Sequence, residues 1–283
     1  MKNPVEMEIA YMVDLRKGNK LEIPPCKRIY FGHETCEKLL PVWDDCQPLM
    51  DISFKQNLEL TFITPFLTDR GFEKTTKFLE QLKTVKPTIE IVTSDWGLLN
   101  WVVNQKSLIP VIGRFQIGQQ LDFRLMRLGK ADREERTIMV DGKFFRLLPK
   151  EQTMALKDHL SSCTLLKENT MEMFAQLSIN RFEVSNTFQS VQLVNKEGLH
   201  YSLHVPYVPL TIFRSCPDNL NFKEKRSCNI NRCLNNRSKW LNETYGCDIY
   251  CIDNALYYSN TCFYGHTKSN PGIDRLVFHE TFN

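Results

Sequence analysis

Residues 58–112 read LELTFITPFLTDRGFEKTTKFLEQLKTVKPTIEIVTSDWGLLNWVVNQKSLIPVI. β-branched, aromatic and other apolar residues crowd Leu58–Ile63, Ile89–Val92 and Pro110–Ile112, runs too short for helices and bounded by polar residues or proline. Between the first two, Phe72 to Leu82 places apolar residues at 72, 78, 79 and 82, with Thr68 or Asp69 available as a cap. Between the second and third, Asp95 to Gln105 is a more apolar helical stretch that Asp95 can cap. Strand, helix, strand, helix, strand is the repeat of a parallel sheet.

The same alternation extends outward in both directions. Met7–Tyr11 and Arg28–Gly32 read as earlier strands; Ile138–Val140, Arg181–Val184, Tyr201–Val205 and Pro209–Arg214 read as later ones. Glu151–Leu166 and Met171–Leu177 carry helical patterns, and Gly272 to His279, with Leu276-Val277, reads as a closing strand. For 283 residues the expected architecture is α/β, a TIM-barrel-like (β/α) barrel. Residues 1–283 are read as a single barrel-like domain, with 214–262 as a Cys-rich excursion.

Lys+Arg number 36 against 33 Asp+Glu, and 42% of the residues are hydrophobic, which excludes a polybasic, acidic or disordered chain. No run approaches the ~20 apolar residues that span a bilayer, so no transmembrane segment is expected. Met1 to Asp14 lacks the basic-then-apolar layout of a secretory signal, and a cytoplasmic location is expected.

Six of the ten cysteines fall between Cys216 and Cys262, a clustering that core thiols do not produce. A disulfide framework suits small secreted domains, and the sequons at Asn236 and Asn242 would fit one. In a large chain without an export signal, thiolate ligation of a metal is the better reading. The spacing Cys216-x11-Cys228-x4-Cys233-x13-Cys247-x3-Cys251-x10-Cys262 contains no paired zinc knuckle. Iron–sulfur ligation tolerates ligands from distant parts of a chain, so spacing leaves zinc and iron–sulfur about even.

A barrel carries its chemistry at the carboxyl ends of its strands. Cys36 follows Arg28–Gly32 by four residues, Asp95 and Trp96 follow Ile89–Val92, and Cys216 follows Pro209–Arg214 by two. If the strands close, Cys36 and Cys216 share a rim, and Cys36 becomes a fourth ligand for Cys216, Cys228 and Cys233. Asp95 has a plain role as a helix cap and Trp96 one in packing; both are also candidates to line a substrate cavity. Arg114 can hold an anion by a bidentate contact or form an ion pair at the rim. His33, beside Glu34 in the Cys36 loop, reads first as a solvent-exposed loop histidine and second as a proton carrier. Between Arg214 and Lys239 seven basic residues face two acids, Asp218 and Glu224, yet only Phe222 and Trp240 could stack on bases, which disfavours an RNA-binding stripe.

Several of these segments are familiar together. Ile29-Tyr-Phe-Gly-His-Glu-Thr-Cys36-Glu-Lys, Ile91-Val-Thr-Ser-Asp-Trp-Gly97, Pro110-Val-Ile-Gly-Arg-Phe115, Leu121-Asp-Phe-Arg124 and Leu203-His-Val-Pro-Tyr-Val208 leading to Arg214-Ser-Cys216 resemble the collagenase-like peptidase family (unclassified peptidase family 32). Within it they resemble the UbiU/UbiV group of oxygen-independent hydroxylation proteins, on the UbiV-like side. The resemblance spans roughly Arg28 to Cys233. It implies a barrel-like fold and a 4Fe–4S cluster on Cys36, Cys216, Cys228 and Cys233.

This chain departs from the pattern in the four residues between Cys228 and Cys233, in Ser94-Asp95 where the family has Asn-Asp, and in Phe123 where it has Pro. Cys247 or Cys251 is therefore an alternative to Cys233. The resemblance further implies a hydroxylase or hydroxylase subunit acting on a quinone precursor or related aromatic substrate. A UbiU-like barrel protein would be its heterodimer partner, and prephenate the oxygen donor. Two alternatives stand beside it: iron–sulfur modification of an RNA base, and a non-catalytic binding protein stabilised by zinc or disulfides. Peptidase activity finds no support, since no Ser/His/Asp or Cys/His arrangement and no HExxH is visible.

Overall fold

The computed structural model describes residues 7–15, 23–119, 159–213, 248–262, 270 and 272–279, together with the backbone alone of 137–140, 143–146, 237–242 and 247. Eight parallel strands close a barrel: β1 (Glu8–Met12), β2 (Arg28–Gly32), β3 (Glu59–Thr64), β4 (Ile89–Thr93), β5 (Leu108–Ile112), β8 (Arg181–Ser185), β9 (His200–Val205) and β14 (Ile273–His279). Neighbours around the ring run β1-β14-β9-β8-β5-β4-β3-β2. The seam between β5 and β8 is the narrowest, with Ile112 opposite Phe182 as its one registered pair.

Helices α1 (Trp43–Gln56), α2 (Asp69–Val85) and α3 (Trp96–Val103) connect β2 to β5 on the outside. Alternation of side chains along each strand sorts the residues. Ile29 and Phe31, Leu60 and Phe62, and Ile89 and Ile91 point outward and join Leu49, Leu79, Leu82, Leu98 and Val102 of the helices in one core. A second core forms under α4 (Glu168–Gln176), where Phe174 meets Phe182, Val184, Tyr201 and Leu203. The closed parallel barrel agrees with the α/β architecture expected above.

Two expected barrel strands lie elsewhere. Ile138–Val140 falls in β6 (Thr137–Val140), which pairs antiparallel with β7 (Lys143–Arg146) in a separate hairpin. Pro209–Arg214 overlaps β10 (Tyr207–Ile212), which leaves the barrel after the Val205–Pro206 bond and pairs antiparallel with β13 (Ala255–Ser259). With β12 (Cys247–Ile252) and β11 (Arg237–Asn242) these make a four-stranded antiparallel sheet in the order β10-β13-β12-β11. Both stretches have strand propensity, and propensity does not name a partner. Of the expected helix Glu151–Leu166, residues 151–158 lie outside the described residues; 159–161 are helical and Thr164–Leu166 forms a 3-10 turn.

The antiparallel sheet is anchored at the C-terminal mouth of the barrel by three sets of hydrogen bonds. Asn254, in the β12–β13 turn, donates from Nδ2 to the carbonyl of Thr35 at 2.9 Å and to that of Phe213 at 3.3 Å. Asn186 and Asn260 exchange side-chain-to-backbone bonds of 2.7 and 2.8 Å. Arg114 donates from Nη1 to the carbonyl of Tyr207 at 2.7 Å.

Candidate functional site at the C-terminal mouth

The loop that carries Cys36 begins at Gly32, whose φ of 109° is open to glycine at little cost. A Cβ there would meet the Ile63 carbonyl oxygen at 2.2 Å, and that carbonyl accepts the His33 amide at 3.1 Å. His33 then organises the loop. Its Nδ1 accepts from the amides of Thr35 at 3.2 Å and Cys36 at 3.0 Å, so its proton resides on Nε2, which donates to Asp253 Oδ2 at 3.0 Å. The histidine read as an exposed loop residue is 12% exposed at its side chain and clamps the loop to the antiparallel sheet.

Glu34, next in the loop, is 5% exposed and takes a bidentate contact from Arg114, which is 2% exposed: Nε to Oε1 and Nη2 to Oε2, both 2.6 Å. Burial works against the Glu34 carboxylate, but the charge and hydrogen bonds of Arg114 outweigh it and hold the group below the ordinary carboxylate range. Arg114, a candidate anion holder from sequence, makes an ion pair inside the mouth, with Nε and Nη2 on Glu34 and Nη1 on the Tyr207 carbonyl.

The other cavity candidates sit at the start of α3. Asp95 Oδ1 accepts the Leu98 amide at 2.9 Å and Oδ2 the Leu67 amide at 3.3 Å, so its carboxylate serves the backbone. Trp96 is 52% exposed and stacks on Phe174 with ring centroids 6.2 Å apart. Of the thiols, Cys36 lies partly exposed in the mouth loop. Cys216, Cys228 and Cys233 lie outside the described residues, and of Cys247 only the backbone is described. Cys251 is buried in β12, opposite Leu256 and Ser238. Burial pushes the Cys46 thiol up to about 12, with Asp45 adding to it, and also raises Cys26 and Cys163; these are thiols held protonated in packed surroundings. Among the described residues no group of three or more His, Cys, Asp or Glu side chains is arranged to hold a metal ion.

Below the mouth, the barrel lumen is filled by a polar chain that the sequence reading missed. At the N-terminal end Arg28, Arg181 and Arg275 meet Glu8, Glu90 and Asp274. Arg275 clasps Glu90 at 2.6 and 3.0 Å and Glu8 at 2.9 Å, Arg28 bonds Glu8 at 2.7 Å, and Arg181 bonds Asp274 at 2.8 and 3.0 Å. Ala10, Ile63, Val92, Val111 and Val277 form an apolar collar around Tyr30 at mid-height. Arg275 Nη1 donates to the Tyr30 hydroxyl at 2.8 Å, and the hydroxyl donates to Glu183 Oε1 at 2.9 Å. Glu183 Oε2 meets His204 Nε2 at 2.5 Å, and His204 Nδ1 meets His279 Nε2 at 2.7 Å. Glu183 and His204 are fully buried. Burial foremost, then the charges of Arg114 and His204, push His279 well below the ordinary imidazole range.

A signal for this chain exists in the sequence. Arg28 and Tyr30, Arg181 and Glu183, His200, Ser202 and His204, and Arg275 and His279 alternate with apolar residues, a polar inner face at period two.

No helix among the described residues is long and apolar enough to cross a membrane. No family model matches the sequence, and no curated protein matches it at a significant level. Solved structures do match. One is a U32 peptidase, 9% identical, with a TM-score of 0.47 over 100% of this chain and 96% of that one. Another is a glycoside hydrolase family 18 N-acetylglucosaminidase from Paenibacillus barengoltzii, 9% identical, with a TM-score of 0.37 over 96% of this chain and 94% of that one.

Proposed function

We propose that this chain holds a 4Fe–4S cluster at the C-terminal mouth of its barrel and takes part in oxygen-independent hydroxylation of a quinone precursor or related aromatic substrate. Cys36, Cys216, Cys228 and Cys233 are the ligands in this reading, with Cys247 or Cys251 as the substitute for Cys233. A UbiU-like partner and prephenate as oxygen donor belong to the same reading, as does the single-domain organisation with 214–262 as the cluster-binding segment. All of these derive from the sequence resemblance.

The single observation that carries the proposal is the double donation of Asn254. One amide nitrogen holds both the carbonyl of Thr35, the residue before Cys36, and the carbonyl of Phe213, three residues before Cys216. Thr35 and Phe213, 178 positions apart in sequence, are thus held together, and three residues reach at most about 10 Å, which supports Cys36 and Cys216 serving one cluster. The partly exposed Cys36 also lies at the strand-end face where barrels carry their chemistry. When bound, the cluster supplies electron transfer or a Lewis-acidic iron for oxygen. The chain's part is to fix the Cys36 loop through His33 and Asp253 and to place the buried Arg114–Glu34 pair beneath it.

Purification without oxygen tests the proposal. The expected product is brown, with about four iron per chain, and Cys36→Ala bleaches it. A colourless protein with stoichiometric zinc, or an intact iron chromophore in Cys36→Ala, overturns the ligand assignment.

A further inference from the structure

Barrel lumens are ordinarily packed with branched apolar side chains, and a buried ionisable group costs several kcal/mol unless it is paired. The upper lumen of this barrel instead holds a carboxylate and two imidazoles in line. Glu183 is covered from both sides, by the Tyr30 hydroxyl on Oε1 and by His204 on Oε2. Arg275 has only donors to give, so the Tyr30 hydroxyl accepts from it and its own hydrogen turns to Glu183. His204 therefore presents Nε2–H to Glu183 and shares a hydrogen with His279 through Nδ1. His279 is partly exposed at the end of β14, and its Nδ1 makes no hydrogen bond among the described residues.

We propose that His279 is the acid–base residue of the C-terminal mouth, taking a proton on Nδ1 from a phenolic or enolic hydroxyl of a small-molecule substrate while its Nε2 proton passes to His204. The proposal rests on the reading of that mouth as the reacting face. The proton count balances. The substrate O–H bond breaks and a bond to His279 Nδ1 forms, His279 Nε2–H is given up to His204 Nδ1, and the imidazolium so formed at His204 lies against the Glu183 carboxylate. His279 stays neutral throughout, which its burial foremost and then the nearby Arg114 cation favour, and the same cation favours the oxyanion left on the substrate. His204 and Glu183 are positioning residues: one receives the charge and the other offsets it. The charged and titratable groups facing this pair are Arg114 from the loop after β5, Glu34 from the loop after β2, Glu183 from β8 and Tyr30 of β2, whose ring stands edge-on to His204 at 5.9 Å; Tyr207 of β10 turns its ring edge to His279 at 6.4 Å.

Diethyl pyrocarbonate reads this directly, because it acylates a neutral imidazole nitrogen and requires the opposite nitrogen to lose its proton. The reagent is applied to the full chain as purified, with modification located by peptide mass spectrometry and exposed His159 as the internal reference. His279 is expected to react at a rate that is flat between about pH 5.5 and 7.5, while that of free N-acetylhistidine in the same mixture climbs as its imidazole loses its proton. Glu183→Gln, which keeps the shape and removes the charge, is expected to slow His279 roughly tenfold and leave His159 unchanged. An unreactive His279, a rate that climbs with pH as that of free N-acetylhistidine does, or an unchanged rate in Glu183→Gln overturns the proposal. If Glu183→Gln fails to fold, the pH profile of the unsubstituted chain decides it. Acylation needs no cluster, so loss of the iron reading and loss of the relay are separate results.

Discussion

Glu34 and Arg114 show how much one contact can hold in this barrel. Neither reaches water to any useful extent, and each guanidinium–carboxylate bond is 2.6 Å long. Removing one partner of such a pair leaves the other charged and dry, which costs about 3–5 kcal/mol. Glu34→Gln is therefore expected to lower the unfolding free energy measured by urea titration by an amount of that size. Pairing it with Arg114→Met, which removes the stranded cation, should restore more than half. A single variant as stable as the unsubstituted chain would mean that water enters the mouth and solvates Arg114. Neither partner advertises this role in the sequence. Glu34 reads as a loop acid and Arg114 as a residue after a strand, and they are 80 positions apart. Their meeting depends on β2 and β5 delivering both loops to one end of a closed ring.

At the scale of elements, α3 is short, and its N-terminus depends on Asp95. One carboxylate oxygen caps the Leu98 amide and the other holds the Leu67 amide in the loop before α2. Asp95→Ala is expected to cost about 1–2 kcal/mol in chemical denaturation, at the upper part of the range for a lost cap, because two amides lose their acceptor. No change would show that solvent replaces both bonds. The units from β3 to β5 are legible in the sequence because period two and period 3.6 are local properties of the chain. Thr68 caps α2 as the sequence allowed, accepting from the Gly71 amide at 3.1 Å. The strands at 138–140 and 209–214 were legible as strands and misplaced as barrel members. Alternation and β-branching fit a parallel barrel strand and an antiparallel sheet strand equally well, and only the neighbouring strand tells them apart.

Across the whole molecule, stability is tied to the ion network in the lower lumen. Burial opposes the Glu90 carboxylate, but hydrogen bonds and charge from Arg275, with Arg28 and Arg181, bring it down to about 2 from an ordinary 4.5. Its folded value lies below its unfolded one. The stabilisation is therefore complete above about pH 4.5 and drains away as the pH falls toward 2. At most about 3 kcal/mol is involved. Melting temperatures measured across that window should fall steeply for the unsubstituted chain. For Glu90→Gln they should start lower and fall less. Parallel curves would show that another carboxylate carries the acid response. Closure matters here too, because Arg275 comes from β14, which pairs with β1 on one side and β9 on the other. The strand that completes the ring also brings the central cation to the axis.

The order of strands and helices around β3, β4 and β5, the caps at Thr68 and Asp95, the closing strand at 273–279 and the unusual cysteine distribution were all determined by the sequence alone. Each depends on residues close together along the chain, where backbone geometry and side-chain type act directly. The Glu183–His204–His279 chain, the Arg114–Glu34 pair and the hold of Asn254 on Thr35 and Phe213 were decided only by the tertiary structure. Their members stand between 21 and 219 positions apart. Two such groups meet only after every intervening strand has taken its place in the ring, so no local pattern can carry the information that they touch.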